Sequence, residues 1–101
     1  MNADRPLAIA RSPKARADID EIWNYIAERN LPAADRVVDE VERVCRLIAA
    51  HPRMGRERPE LLPGMRSFGA MSWIIFNRIH DEFIEIVRVI HGARDLDQID
   101  F

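Results

Sequence analysis

Apolar residues recur at helical spacing through the first half of this chain and gather in short continuous runs in the second, and the change from one to the other divides it. Residues 6–11, PLAIAR, form a short apolar run that reads as a strand. Ser12 and Pro13 follow, a hydroxyl suited to capping amide N–H groups and a ring whose fixed φ suits the first helical position. Ala15, Ile19, Ile22, Trp23 and Ile26 then recur at spacings of three and four, which places them on one face of a helix. Asp18, Asp20 and Glu21 are assigned to its outer side, and Asn30 to its end. Pro32 opens a second helix, with Asp35 in the first turn, where the helix dipole favours an anion. Its stripe is Ala34, Val37, Val38, Val41, Val44, Cys45 and Ile48, and His51-Pro52 stops it. Two amphipathic helices joined by a few residues pack antiparallel, as a hairpin. Trp23 and Val38 fall at the edges of their stripes, so they either cover the core or stay partly open for a partner.

After residue 51 the helical period disappears. Residues 52–64, PRMGRERPELLPG, carry three prolines and two glycines and read as a solvated loop, slightly basic through Arg53, Arg56 and Arg58. Three strand-like runs follow: MRSF, SWIIFNRI and FIEIVRVIH, with turns expected at Gly69-Ala70 and at His80-Asp81-Glu82. The last two runs are apolar on both faces, as central strands covered on both sides must be. The tail ARDLDQIDF is acidic, and Leu96, Ile99 and Phe101 can dock it as a short helix or an extended segment. The order β-α-α-β-β-β predicts one α+β domain over residues 1–101, a helical hairpin packed on a small, mainly antiparallel sheet.

Composition narrows the function classes. With 48% hydrophobic and 32% charged residues the chain is globular, and its formal net charge of -2 argues against a nucleic-acid binder held by bulk charge. No direct sequence-specific nucleic-acid binding is expected. Lys14 is the sole lysine beside fourteen arginines. One cysteine, Cys45, excludes an internal disulfide and a multi-cysteine metal site. His51, His80 and His91 are too scattered to argue for a metal, and no motif calls for a cofactor. The opening MNADRPLAIARSP lacks the apolar run of a signal peptide and no segment has the length of a membrane span, so the expected compartment is the cytoplasm.

The stretch EIVRVIHGARD holds the candidate chemistry, Arg88, His91 and Arg94 on or just past an otherwise apolar strand. A guanidinium in such a strand must reach an open edge or pair with a carboxylate, Asp95 or another acidic residue. His91, before Gly92, can cap the strand through a backbone hydrogen bond. The three read first as finishing the sheet, next as partner contacts, and last as catalysts.

The ordered set of segments resembles the ParE branch of the RelE/ParE superfamily of bacterial toxin–antitoxin pairs. SPKARADIDEIWNYIAERN is similar to the first helix of such toxins, AADRVVDEVERVCRLIAAHPRMG to their second, PGMRSF to their glycine–x–arginine strand, WIIFNR to the third strand and EIVRVIHGARD to the last strand and its exit. The resemblance implies a type II toxin that inhibits DNA gyrase by binding and is neutralised by a ParD-like antitoxin, a small protein whose C-terminal segment folds on the toxin. It implies a role in growth inhibition or plasmid stabilisation. Trp23, Val38, Phe68 and Trp73 are the candidate apolar anchors, and Arg66, Arg88, His91 and Arg94 the candidate polar contacts.

RelE-like relatives instead cut messenger RNA on the ribosome. On that alternative Arg66 faces phosphate, and His91 and Arg94 occupy positions of further catalytic groups. The chain departs from that pattern. It lacks the many lysines of the nucleases and a tyrosine or histidine in the tail, and Asp95, Asp97 and Asp100 bring negative charge where RNA would enter. The expectation is therefore no catalysis; a decayed module that binds antitoxin without toxicity is the other alternative.

Overall fold

A computed structural model describes residues 5–101; residues 1–4, the start of the stretch searched for a signal peptide, lie outside the described residues. Strand β1 (Ala8–Arg11) leads into helices α1 (Pro13–Ala27) and α2 (Leu31–Ala50). Strands β2 (Arg56–Glu57), β3 (Met65–Ala70), β4 (Trp73–Ile79) and β5 (Phe83–His91) follow, and a 3-10 turn spans Leu96–Gln98. The sheet runs β1-β5-β4-β3-β2, antiparallel except for the parallel β1–β5 pair. The architecture is the expected one, an α+β domain with two helices packed on a small mixed sheet.

Both helices start on side-chain caps. Ser12 Oγ accepts the Ala15 N–H at 3.0 Å, and Asn30 Oδ1 accepts that of Ala33, also at 3.0 Å. Asn30 thus closes α1, its N–H donating to the Ile26 carbonyl at 2.9 Å, and also begins α2, because its short amide satisfies a donor that no helical carbonyl can reach. With α2 starting at Leu31, Asp35 lies past the first turn, and its carboxylate accepts the Trp23 indole N–H at 2.9 Å.

The helices cover one face of the sheet. Val41, Val44, Cys45 and Ile48 of α2 pack there against Ile75 of β4 and Ile84, Ile86 and Val89 of β5. The opposite face is covered by the tail, whose Leu96, Ile99 and Phe101 pack on Met65, Phe76, Val87 and Ile90. Phe101 meets Phe76 edge to face, with centroids 4.9 Å apart.

Two turn and loop expectations change. Gly69 and Ala70 belong to β3, and the hairpin turns on Met71 and Ser72, with Met71 at φ 56. The left-handed region favours glycine, yet Gly69 lies one pair too early in the ladder to make the turn. The segment 52–64 is not all loop, since Arg56 and Glu57 pair with Ser67 and Arg66. The second hairpin turns on Asp81 and Glu82, closed by the His80 N–H donating to the Phe83 carbonyl at 2.8 Å. No described helix is long and apolar enough to cross a membrane.

Candidate partner-binding groove

The site arises because two neighbouring strands differ in length. β1 stops at Arg11, opposite Ile86, while β5 continues to His91. Beyond Ile86 the edge of β5 has no strand beside it, and its backbone groups need other partners. Ser12 supplies two, its N–H donating to the Ile86 carbonyl at 2.9 Å and its hydroxyl to the Val87 carbonyl at 2.7 Å. Asp18 supplies the next by accepting the Val89 N–H at 2.9 Å.

The Asp18 carboxylate also takes both arms of Arg88, from Nε at 2.7 Å and Nη2 at 2.8 Å. A bulge between β4 and β5 prepares this: Phe76 faces Arg88 and Asn77 faces Ile86, leaving Val87 as the extra residue. Nη1 of Arg88 donates to the Asp100 carbonyl at 2.7 Å, which ties the tail to the same point. The hydrogen bonds it donates to Asp18 hold the guanidinium protonated even more firmly than usual. Asp18 is therefore buried and turned to the sheet, not on the outer side of α1, and it, rather than Asp95, is the partner of Arg88. An aspartate within a helix reads as solvated unless its cation is known, and that cation lies 70 residues away. Asp95 instead caps the 3-10 turn, accepting the Asp97 N–H at 3.0 Å.

Past Val89 the space between α1 and β5 opens into a groove of about 400 Å3. Ile22 and Tyr25 form its helical wall and Trp73, Ile90 and His91 its sheet wall; Glu21 and Arg94 stand among its lining residues. Trp73 and His91 are cross-strand partners, their rings edge to face at 5.6 Å. His91 does cap the strand: Nδ1 accepts the Ala93 N–H at 3.1 Å, and its carbonyl accepts the Arg94 N–H at 3.0 Å. That bond fixes the ring and leaves Nε2 to carry the proton in the neutral form. Tyr25 is 73% exposed, so the groove presents an aromatic side chain in water beside the His91 imidazole and the Arg94 guanidinium.

The remaining candidates scatter. Arg66 Nη1 donates to the carbonyls of Arg53 (3.1 Å) and Gly55 (2.8 Å), and Glu57 lies 3.6 Å from Nη2. It lines a different cavity, with Arg53 and Ile79. Arg66 is opposite Asn77 and His91 opposite Trp73, so their rows lie four residue steps apart along β4, about 13 Å at ~3.3 Å per residue. A base and a phosphate clamp must both reach one phosphodiester, whereas His91 and Arg66 line two different cavities. Trp23 and Val38 are half-buried, as stripe-edge residues are, and Phe68 is partly buried under the helices. The groove thus gathers His91, Arg94 and Trp73 of the expected set and adds Glu21, Ile22 and Tyr25. Tyr25 had one signal in the sequence, an aromatic residue outside the apolar stripe. Among the described residues no three histidine, cysteine or carboxylate side chains cluster to hold a metal ion.

The family described as ParE toxin of type II toxin-antitoxin system, parDE, matches residues 9–96. The chain belongs to the ParE toxin family. It is 36% identical to Toxin ParE1 of Mycobacterium tuberculosis over 89 residues, 86% of this chain and 91% of that one. Toxin ParE3 of Caulobacter vibrioides is 29% identical, over 87% of this chain and 89% of its own. Toxin RelE3 of the same species is more distant, 26% identical over 84% of this chain and 94% of its own. Two solved structures share the fold at 22% identity. The chromosomal ParDE system from P. aeruginosa superposes with a TM-score of 0.72, covering 84% of this chain and 95% of that one. The RelBE2 toxin–antitoxin complex of M. tuberculosis gives 0.67, covering 88% and 94%. Within this ParE-type fold, the groove beside α1 is the feature that its own residues build.

Proposed function

We propose that this ParE-family toxin acts in the cytoplasm by binding, that its target is DNA gyrase, and that a ParD-like antitoxin neutralises it. One observation carries the reading. Of the polar groups expected to do chemistry, Arg66 and Arg88 are consumed in the fold, while His91 and Arg94 are left open and line an apolar, aromatic groove. Arg88 is bound to Asp18 and Asp100, and Arg66 to the carbonyls of a loop. Arg94, His91, Tyr25 and Trp73 remain, a set suited to a protein surface that offers apolar side chains and a carboxylate. An antitoxin segment that folds on binding fits such a groove, because ordering it requires apolar anchors.

The test is induction of the chain without antitoxin, with chromosome breaks and messenger RNA integrity followed in parallel, and supercoiling by gyrase assayed with purified toxin. Gyrase-linked breaks with intact transcripts are expected. Supercoiling unchanged at saturating toxin removes the gyrase target. Transcripts cut on translating ribosomes, and left whole by Arg66→Ala, would establish the nuclease alternative that the RelE3 relative keeps in view. Harmless induction would indicate a decayed module.

A further inference from the structure

The formal net charge of -2 hides two flanks of opposite sign. Residues 51–80 hold five arginines against two glutamates, +3, and the rest of the chain holds ten basic against fifteen acidic residues, -5. The fold keeps the two apart. α1, with Asp18, Asp20 and Glu21, packs along β5, and Asp100 of the tail bonds to Lys14 and Arg88 on that side. The arginines gather across the sheet from it, around β2 and β3.

The ladder brings them to one surface. Arg56 faces Ser67 and Arg78 faces Met65, cross-strand pairs that put both arginines on the sheet face that carries Met65 and Phe76. Arg58 joins them, its N–H on the Met65 carbonyl at 2.8 Å and its Nη1 3.4 Å from Ser67 Oγ. Arg53 lines the adjoining cavity with Met65.

Charge beside an edge strand ordinarily guards it against pairing, and either sign serves. That accounts for Arg56 on β2. It does not account for Arg53 in the loop or for Arg78 on β4, an interior strand. Here the carboxylates are the groups already engaged: Glu60 takes Arg58 at 2.8 Å, and Glu57 stands 3.6 Å from Arg66. Among the described residues no carboxylate pairs with Arg53, Arg56 or Arg78. Arg53 and Arg56 are exposed and Arg78 is half-buried.

We infer that this flank is a contact surface for the phosphate backbone of the DNA that gyrase holds, a placement that rests on the gyrase reading above. Forked guanidinium groups match phosphate oxygens, and several spread over neighbouring strands suit a polyanion better than a single carboxylate. Three such contacts are too few to hold a duplex that also repels the acidic flank. The flank therefore adds affinity only where a second surface has already docked the toxin on a protein that carries DNA, which makes the phosphate contact intramolecular.

The full chain, labelled with a fluorophore at its N-terminal amine, is titrated with gyrase alone and with gyrase loaded with a linear duplex, and anisotropy is read over a range of salt. Loaded gyrase is expected to bind about tenfold more tightly than bare gyrase, and that ratio to fall with salt at a log–log slope of about -3. Arg53→Gln with Arg56→Gln, both at exposed positions, should flatten the slope to about -1 and bring the ratio within about twofold of unity. Equal charge removed from the other flank, by Arg16→Gln with Arg29→Gln, should leave the ratio within about twofold of the parent's. Equal affinity for loaded and bare gyrase, or a ratio that the Arg53 and Arg56 changes leave intact, overturns the site while the gyrase reading stands. A loss as large from the Arg16 and Arg29 changes reduces the effect to net charge and also overturns it. Single-stranded RNA that displaces the toxin from loaded gyrase better than free duplex does assigns the flank to RNA instead. No binding to gyrase in either form removes both readings.

Discussion

The two helices of the hairpin have similar amphipathic patterns and different tasks. α2 buries Ala34, Val37, Val41, Val44, Cys45, Ile48 and Ala49, a complete stripe pressed on the sheet. α1 buries only Ala15 and Asp18, and leaves Ile19, Ile22 and Ile26 half-covered with Tyr25 in water. The first holds the fold. The second is anchored at one end by a buried carboxylate and held off the sheet at the other, which opens the groove. An apolar stripe therefore marks what a helix can bury, and the tertiary structure decides how much of it is left for a partner.

The contrast can be broken most strongly at the anchor of α1. Asp18→Ala leaves the Arg88 guanidinium and the Val89 N–H without their acceptor, and is expected to destabilise the chain by about 3–5 kcal/mol in denaturant unfolding. The double change Asp18→Leu with Arg88→Met should return most of that loss; if it does not, the ion pair is not what holds α1. Next comes the packing of the helices themselves. Ile48→Ala in α2 is expected to lose about 2–5 kcal/mol. Tyr25→Ala in α1 should leave stability within about 0.5 kcal/mol. The same Tyr25 change is expected to weaken antitoxin binding by about 2 kcal/mol in calorimetric titration, as an aromatic anchor does. Equal effects of the two substitutions on unfolding would erase the distinction between the helices.

Smaller effects sharpen the picture of what each face of the sheet tolerates. Asn77 is 1% exposed, and neither atom of its amide has a hydrogen-bond partner among the described residues. Asn77→Leu is expected to raise stability by about 1 kcal/mol, read as a higher melting temperature, because it removes an unmet desolvation cost. The smallest effect belongs to the tail. The hydrogen bond and charge of Lys14 lower the Asp100 pKa below its ordinary 3.8, so the contact stabilises the docked tail above that value and is lost as pH falls below it. Phe101 ring signals should shift toward solvent values in that acid range, and Asp100→Asn should abolish the step. Cys45, whose pKa burial pushes up to about 12, should stay unmodified by alkylating agents at neutral pH while the chain is folded.

What the sequence determined by itself was whatever local chemistry decides. Ser12, Pro13 and Pro32 announced two helices, the stripe of α2 named its buried face, and the short apolar runs at 6–11 and after residue 64 named four of the five strands. The ordered segments also carried the family. Placing Asp18 against Arg88 was beyond the sequence, since a charge in a helix looks solvated until the strand that neutralises it is folded beside it. Two-residue β2 carries no period, and the turn at Met71 obeys the ladder rather than glycine's freedom. The candidate site was half legible: His91, Arg94 and Trp73 were named in advance, but their gathering with Tyr25 depends on β1 ending at Arg11 while β5 continues to His91. Strand length and edge closure are properties of the assembled sheet, because each strand's hydrogen bonds are completed by residues far along the chain.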